Sequence, residues 1–336
     1  MNIKVSILIT AYNCEKYIYK AIESALAQTE KQIEVIVIND ASTDNTLKIA
    51  QSFNDERLKV FTNPQNFGQS YSLNFAAKEA KGEWIVSLDS DDWYAPDRIE
   101  KLLYLALSEN ADMCADNMYL ICDGDEQPWS TFLNQSKVRI DKVQHIDTKF
   151  FIENDLPGTW SFPLGLTKPL IKRDLIINNQ IENKLNFKFS RDFWFYFECL
   201  AHGAKFVFTP EPYYYYRSRV GSMVTSSQVE QLSDQCQATK YFLQLSYVKN
   251  NPQLVNSLTW RLNLMERTIP YLRVIDPLKK GKILDIILKM VQNPYFFWHL
   301  INQLPRIIWR RLSYLSSASL FKSMKYTIHN NSTNQK

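Results

Sequence analysis

The stretch Gly82-Glu-Trp-Ile-Val-Ser-Leu-Asp-Ser-Asp-Asp92 decides how this chain folds. Its first half, up to Leu88, is a mostly apolar run of the length expected for a buried strand. Its second half places three carboxylates, Asp89, Asp91 and Asp92, directly after that strand. Carboxylates this close repel one another unless they are solvated or share a cation. The stretch therefore predicts a buried strand with an acidic site at its carboxyl end.

Similar apolar runs precede this strand at residues 4–10, 33–38 and 58–61, and each is followed by a polar turn and a segment of helical spacing. Buried strands that alternate with amphipathic helices predict an α/β fold with a mostly parallel sheet and helices on both faces. In such sheets ligands bind beyond the carboxyl ends of the strands. Residues 111–225 are less regular and predict an α+β half that covers the sheet edge, and 226–336 predict helices.

The composition excludes several classes of protein. With 45% hydrophobic and 22% charged residues the chain can bury a sizeable core, so it is neither mostly disordered nor collagen-like. Its five cysteines form no CxxC pair, which argues against a disulfide framework or structural zinc and favours a reducing compartment. No apolar run is long enough for a transmembrane helix or a signal-peptide core, and we expect the protein to stay inside the cell.

The C-terminal tail carries an unusual charge. Residues 278–336 hold ten Lys or Arg against one acid, whereas the rest of the chain is mildly acidic. Apolar residues recur at helical spacing over 297–315, which resembles a basic amphipathic helix on an anionic membrane. Packing on the rest of the protein is the alternative. Basic and tryptophan side chains accompany the stretch: Arg306, Arg310, Arg311, Trp298 and Trp309.

The acidic cluster at residues 89–92 has two readings. Oxygen-only ligands favour a hard divalent ion, Mg²⁺ or Mn²⁺, held by one or two carboxylates together with phosphate oxygens of a substrate. Alternatively, the cluster is a solvated turn in which Asp91 or Asp92 caps the next helix.

Two neighbouring strand ends carry Ala11-Tyr12-Asn13 and Asp40. Backbone amides and a short carboxylate there are suited to grip a nucleobase, with Tyr12 offering a flat face. Asn13 and Asp40 are equally compatible with helix caps. At the third strand-to-helix turn, Asn66-Phe-Gly68 places a glycine at a helix start, where a ligand can approach closely.

Ser190-Arg191-Asp192 opens a helix with an aromatic face. An aspartate at a helix N-terminus is usually only a favourable charge on the helix dipole. In an acidic site it can also serve as a general base.

In this order, the motifs resemble the landmarks of the family 2 glycosyltransferases over about residues 3–225. The resemblance implies a GT-A fold, a nucleotide-sugar donor, a divalent cation and inversion at the anomeric carbon. It implies a catalytic domain over 1–225, with a nucleotide-sugar half (1–110) and an acceptor half (111–225). The matching segments are Ile7-Leu-Ile-Thr-Ala-Tyr-Asn13, Val37-Ile-Asn-Asp-Ala-Ser-Thr-Asp44, Asn66-Phe-Gly68, the stretch 82–92, Arg191-Asp192 and Tyr216-Arg-Ser-Arg-Val-Gly-Ser222.

By position, the resemblance also implies roles for single residues. Asp40 would hold the base, Asp89 would lie near the ribose and the metal, Asp91 would ligate the metal that bridges the phosphates, and Asp192 would deprotonate the acceptor. The remaining donor-binding positions are Thr10, Ala11, Tyr12, Asn13, Asn66, Gly68 and Ser90.

The chain departs from the family pattern at two places. Arg191 stands where the family often has Glu, and an Arg common in the helix after the Asn-x-Gly turn is replaced around residues 72–74. Both departures concern contacts to the donor phosphates. Arg191, Arg217 and Arg219 are candidate contacts to phosphate or acceptor, although arginines near an acidic site are as often structural partners.

Residues 165–173 and 216–222 resemble the subgroup that builds bacterial exopolysaccharide or other surface glycans. The expected function is therefore transfer from a UDP-sugar to a lipid-linked glycan acceptor at the inner face of the cytoplasmic membrane, with no nucleic-acid partner. A nucleotidyltransferase is the enzymatic alternative, although residues 11–14 are not its glycine- and lysine-rich phosphate loop. A non-catalytic sugar-binding or scaffold protein is the other alternative.

Overall fold

The computed structural model describes residues 3–156, 162–218 and 228–279. The strands are β1 (Val5–Ala11), β2 (Ile33–Asn39), β3 (Leu58–Thr62), β4 (Trp84–Asp89), β5 (Trp93–Tyr94), β6 (Met113–Cys122), β7 (Ser130–Thr131), β8 (Gln144–Ile146), β9 (Leu170–Lys172) and β10 (Phe206–Ser218). The helices are α1 (Ile18–Leu26), α2 (Thr46–Ala50), α3 (Gln69–Glu79), α4 (Arg98–Ser108), α5 (Thr148–Asn154), α6 (Arg173–Asn178), α7 (Arg191–Ala201), α8 (Gln228–Phe242), α9 (Ser246–Lys249) and α10 (Pro252–Lys279).

One mixed sheet organises these elements in the order β3-β2-β1-β4-β9-β6-β10-β5. The strands β3, β2, β1 and β4 run parallel to their neighbours, as do β6 and β10. The short strand β9 is antiparallel to both β4 and β6. The prediction of a mostly parallel α/β sheet is confirmed, whereas β9, which joins the two parallel parts, was not predicted.

The sheet separates two apolar cores. Ile7 and Ile9 point into a core with α1 and α4, and Leu8, between them, points into a core with α3 and α7. This alternation follows from the two-residue period of a strand that is buried on both faces. Gly82 permits the close pairing of β4 with β1, because a Cβ there would lie 2.6 Å from the Ser6 nitrogen.

A buried ion pair joins the first core to the sheet. Arg98, at the start of α4, and Asp116, in the middle of β6, both have fully buried side chains. The Arg98 Nη2 and Nε atoms lie 2.7 and 3.1 Å from Asp116 Oδ1. Burial raises the pKa of Asp116, and Arg98 opposes that rise. Because an unpaired charge is costly in such a place, each partner requires the other.

The chain divides into two compact units, Met1–Asn263 and Leu264–Lys336, and the residues of the candidate active site described below belong to the first. Within the ranges that the structure describes, no helix is both long and apolar enough to cross a bilayer. The stretch at 297–315, for which the sequence predicts a membrane-facing helix, lies outside the described residues.

We expect Arg98→Met to lower the free energy of unfolding by about 3–5 kcal/mol, because it leaves the Asp116 carboxylate buried without its partner. Urea denaturation measures the loss. Arg57→Met is the matched control, since Arg57 and Asp55 form an ion pair in which both side chains are 25% exposed. That change should cost about 0–1 kcal/mol. Equal losses in the two variants would contradict a structural role for the buried pair.

Candidate active site

The carboxyl ends of β1, β2 and β4 meet at one edge of the sheet. In the strand register Ala11 pairs with Asn39, and Thr10 pairs with Asp89. The residues that follow these strands are therefore neighbours in space although they are distant in sequence. We call this edge, with the residues that follow the three strands, the strand-end site.

Asp40 is engaged in holding the turn before α3. Its buried carboxylate accepts hydrogen bonds from Asn63 Nδ2 at 2.8 Å, from the Phe67 nitrogen at 3.0 Å and from the Gly68 nitrogen at 2.8 Å. Gly68 has φ +88°, a conformation that favours glycine. Asp40 thus fixes the shape of the glycine turn in the strand-end site, and Asn66 Oδ1 adds a bond to the same Gly68 nitrogen at 3.0 Å.

Tyr12 and Asn13 lie on the exposed side of the strand-end site. The Tyr12 side chain is 49% exposed, so its ring is accessible to a ligand. One interpretation of the sequence made Asn13 a helix cap, and this is wrong, because Tyr17 holds the cap position of α1. The φ of Asn13 is +47°, and its side-chain oxygen accepts a hydrogen bond from the Thr43 nitrogen at 2.8 Å. Asn13 therefore joins the loops that follow β1 and β2.

The acidic cluster divides its carboxylates between different tasks. Asp92 is buried, and it accepts hydrogen bonds from the Tyr214 hydroxyl at 2.7 Å and from the Arg217 nitrogen at 2.8 Å. Burial raises its pKa well above the usual value, and the charges of Asp91 and Asp89 add to the rise. Capping of the next helix by Asp91 or Asp92 is wrong, since Asp97 holds that position at α4.

Lys168 connects the acidic cluster to α7. Its Nζ atom lies 3.0 Å from Asp89 Oδ2 and 2.5 Å from Asp192 Oδ2, and its side chain is 4% exposed. Burial alone would lower the pKa of Lys168, but the charges of Asp192 and Asp89 outweigh burial and hold that pKa well above its usual value. The lysine is therefore a charged ammonium between the two carboxylates for which the resemblance implies separate roles.

No motif in the sequence indicated that Lys168 belongs to this site. It lies within residues 165–173, which carry part of the family resemblance, but a single lysine beside a proline has no chemical signature. Its backbone φ of +48° places it in a region that side-chain-bearing residues seldom adopt. Only the three-dimensional arrangement identifies it.

Arg191, at the start of α7, reaches the first residue of α3. Its Nη2 atom donates to Gln69 Oε1 at 2.9 Å, and Gln69 Nε2 donates to Asp89 Oδ1 at 3.2 Å. Residues 72–74 of α3, around which the resemblance implies an arginine, are Ser, Leu and Asn in this chain. In its place on α3, Asn74 hydrogen-bonds to the backbone of Asn183.

Arg217 binds the backbone of the acidic loop, by which we mean residues 89–92. Its Nε atom donates to the Asp91 carbonyl at 2.9 Å, its Nη1 pairs with Asp123 at 3.1 Å, and its guanidinium lies 4.8 Å from the centre of the Trp93 ring. The side chain is 11% exposed. These contacts correspond to the structural reading of this arginine. Arg219 lies outside the described residues.

The acidic cluster at residues 89–92 carries carboxylate oxygens, the type of ligand that a hard cation prefers. Among the residues that the structure describes, no group of three or more His, Cys, Asp or Glu side chains could enclose a metal ion. Mg²⁺ in phosphate-transfer sites is commonly held by one or two carboxylates, with substrate phosphates and water completing its shell. Asp91, together with Asp89, fits that donor set.

Comparison with known proteins identifies related chains. Residues 6–168 match the model of glycosyl transferase family 2. The chain is 25% identical to the succinoglycan biosynthesis protein ExoO of Rhizobium meliloti over 88% of its length, and it covers 83% of ExoO. It is 29% identical to the glycosyltransferase GlyG of Streptococcus pneumoniae, with 66% of this chain and 72% of GlyG covered.

A third relative is UDP-Glc:alpha-D-GlcNAc-diphosphoundecaprenol beta-1,3-glucosyltransferase WfaP of Escherichia coli. WfaP is 40% identical to this chain over 34% of this chain's length. The matched region covers about half (46%) of WfaP.

Solved structures of S. aureus TarS share the fold. The 1–349 fragment in complex with UDP-GlcNAc superposes with a TM-score of 0.59 at 20% identity, covering 85% of this chain and 89% of the fragment. Its complex with UDP gives a TM-score of 0.57 at 22% identity, covering 76% of this chain and 71% of that one. The architecture is therefore that of the GT-A glycosyltransferases.

Proposed function

From the match of residues 6–168 to the model of glycosyl transferase family 2, we propose that the chain is an inverting, metal-dependent enzyme that transfers a sugar from a UDP-sugar to a glycan acceptor. The observation that carries the proposal is that Asp89 and Asp192 both form ion pairs with Lys168, so the two carboxylates lie close together. Transfer with inversion needs a binding site for the departing diphosphate and a base beside the incoming hydroxyl. These two carboxylates supply one group for each task.

The nucleoside end of the donor would bind at the ends of β1 and β2. Tyr12 offers an exposed ring there, and Thr10, Ala11, Asn13 and Asp40 also belong to the strand-end site. The relatives support a uridine donor, because WfaP is named for UDP-Glc and TarS structures contain UDP or UDP-GlcNAc. Asn66, Gly68 and Ser90 would complete the donor site.

The diphosphate end would lie beside the acidic loop, where Asp91 and Asp89 would hold Mg²⁺ or Mn²⁺. The cation, when bound, would neutralise the charge that builds on the departing diphosphate. Arg217 contributes by fixing the Asp91 backbone, so that the carboxylate is presented from a rigid loop.

We expect Asp91→Ala to weaken UDP binding in the presence of Mn²⁺ by at least about tenfold, or about 1.4 kcal/mol. The substitution removes a carboxylate that would hold the cation against the diphosphate. Calorimetry of UDP with and without Mn²⁺ measures the effect, and Asp125→Ala, in an exposed loop, is the control. Unchanged Mn²⁺-dependent binding in the Asp91 variant would remove Asp91 from the site.

The acceptor hydroxyl would lose its proton to the Asp192 carboxylate. Its oxygen would then form a bond to the anomeric carbon while the bond from that carbon to the diphosphate oxygen breaks. Other carboxylates near α7 are less suited to this task. Asp174 is exposed on α6, and the buried Glu198 binds the Tyr247 hydroxyl at 3.2 Å and Lys184 at 2.9 Å.

We expect Asp192→Asn to reduce sugar transfer by about 10²–10⁴-fold, because an amide cannot accept the proton. UDP affinity should change little, since the amide keeps the shape of the side chain. Transfer kinetics and UDP calorimetry separate the two effects, with Asp174→Asn as the control. Near-normal transfer by the Asp192 variant would assign the base to another residue.

We further propose a lipid-linked acceptor in surface-polysaccharide biosynthesis, and peripheral attachment to the inner face of the cytoplasmic membrane through the basic tail. The name of WfaP, which refers to a diphosphoundecaprenol-linked sugar, supports the acceptor class. The ten basic residues against one acid at 278–336 support the attachment. Each Lys or Arg near an anionic surface contributes about 1 kcal/mol.

We expect the combined changes Arg306→Glu, Arg310→Glu and Arg311→Glu to abolish sedimentation with phosphatidylglycerol-containing vesicles at low salt. The changes replace attraction by repulsion, and added salt should weaken the binding of the unaltered protein. Glutamates at the exposed Lys16, Lys101 and Lys142 provide a control of equal charge change. Equal sedimentation of both triple variants would contradict attachment through the tail.

A further inference from the structure

Lys168 is fixed from its backbone outward. Arg98 Nη2 donates to the Lys168 carbonyl at 2.8 Å, so the buried Arg98–Asp116 pair holds the peptide that carries the lysine. The preceding residue, Thr167, donates its hydroxyl to the Leu164 carbonyl at 2.7 Å. The left-handed backbone conformation of Lys168 is thus stabilised by buried hydrogen bonds, and its side chain leaves from a rigid base.

In this contact the lysine is more deeply buried than the two carboxylates, which is unusual. The two carboxylates are partly exposed, Asp89 by 24% and Asp192 by 20%, whereas the lysine between them is 4% exposed. A long, flexible ammonium side chain normally reaches toward water. Here it lies beneath the carboxylates and leaves their remaining surface open to a ligand.

The two carboxylates belong to different halves of the site. Asp89 ends β4, beside the residues proposed for the donor, and Asp192 lies in the first turn of α7. Without a cation between them, the two charges would repel and their side chains would turn apart. Gln69 donates to Asp89 Oδ1, and Arg191 donates to Gln69. Lys168 contacts both Asp89 and Asp192 directly, so it links the two carboxylates.

We propose that Lys168 is a positioning residue that holds Asp192 in the orientation needed for transfer and ties that orientation to the donor-side carboxylate Asp89. The inference rests on the proposed function, because it assigns Asp192 as the base. Lys168 does not exchange a proton with the substrates. It sets where the Asp192 carboxylate stands when donor and acceptor are both bound.

The test is a double-mutant cycle with Lys168→Met and Asp192→Asn in the full-length protein. A small displacement of a catalytic group can cost about 10²-fold in rate, so we expect Lys168→Met to lower kcat for transfer by about that factor. The loss in UDP affinity should be smaller than the loss in kcat. Since Lys168 acts through Asp192, adding Lys168→Met to Asp192→Asn should cause little further loss.

Lys172→Met is the matched control. Lys172 lies on β9, its Nζ atom is 2.8 Å from Asp112 Oδ1, and the lysine side chain is 38% exposed. This variant should transfer sugar at the normal rate. Lys168→Gln, which keeps a hydrogen-bond donor without the charge, is the second variant, and circular dichroism reports whether each variant is folded. We expect Lys168→Gln to fold and to lose transfer, as Lys168→Met does.

Three outcomes would overturn the proposal while the unaltered protein is active: normal transfer by Lys168→Met, additive losses in the double variant, or failure of both Lys168 variants to fold. The last would make the lysine a residue of the fold alone. If the unaltered protein transfers sugar from no UDP-sugar of a panel supplied with Mn²⁺, the proposed function itself fails, and this inference fails with it.

Discussion

The buried ion pair between Arg98 and Asp116 is the constraint on which the strand-end site depends. Removing two charges from water costs several kcal/mol per ion, and the attraction between them offsets this only when further groups satisfy both partners. Here the Arg98 guanidinium also lies 4.4 Å from the centre of the Tyr94 ring and 5.1 Å from that of Tyr214. These contacts restrict the orientation of the guanidinium, and with it the positions of the groups that it binds.

That arrangement is transmitted to the site along two routes. Asp116 accepts a hydrogen bond from the Tyr213 nitrogen at 3.0 Å, which sets the course of β10. The next residue, Tyr214, donates its hydroxyl to Asp92 and accepts from the Asp89 nitrogen at 3.3 Å. On the second route Arg98 binds the carbonyl of Lys168. The acidic loop and the lysine that meets it are therefore positioned by the same buried charge.

The parts of the fold that sequence predicts are those with a clear period. The apolar run Met113–Cys122 forms the strand β6, and the aromatic helix expected from Ser190 begins at Arg191 as α7. The strand β9 was missed because its three residues are too short to show a period. Residues 206–218 form one strand, β10, although they include Pro210 and Pro212, because irregularities in its pairing accommodate the two prolines.

The same reasoning explains which part of the site was foreseeable. Asp40, Asp89 and Asp91 follow strands, and the topology of a parallel sheet brings strand ends together whatever the loops between them do. Lys168 lies just before the short antiparallel strand β9, so it does not follow a strand of the parallel sheet and no periodicity relates it to Asp89. Its charge is what allows two carboxylates from separate elements to remain close without a metal between them. Because Lys168 already offsets the repulsion between Asp89 and Asp192, a divalent cation near Asp91 would not be needed for that purpose and would neutralise the diphosphate instead.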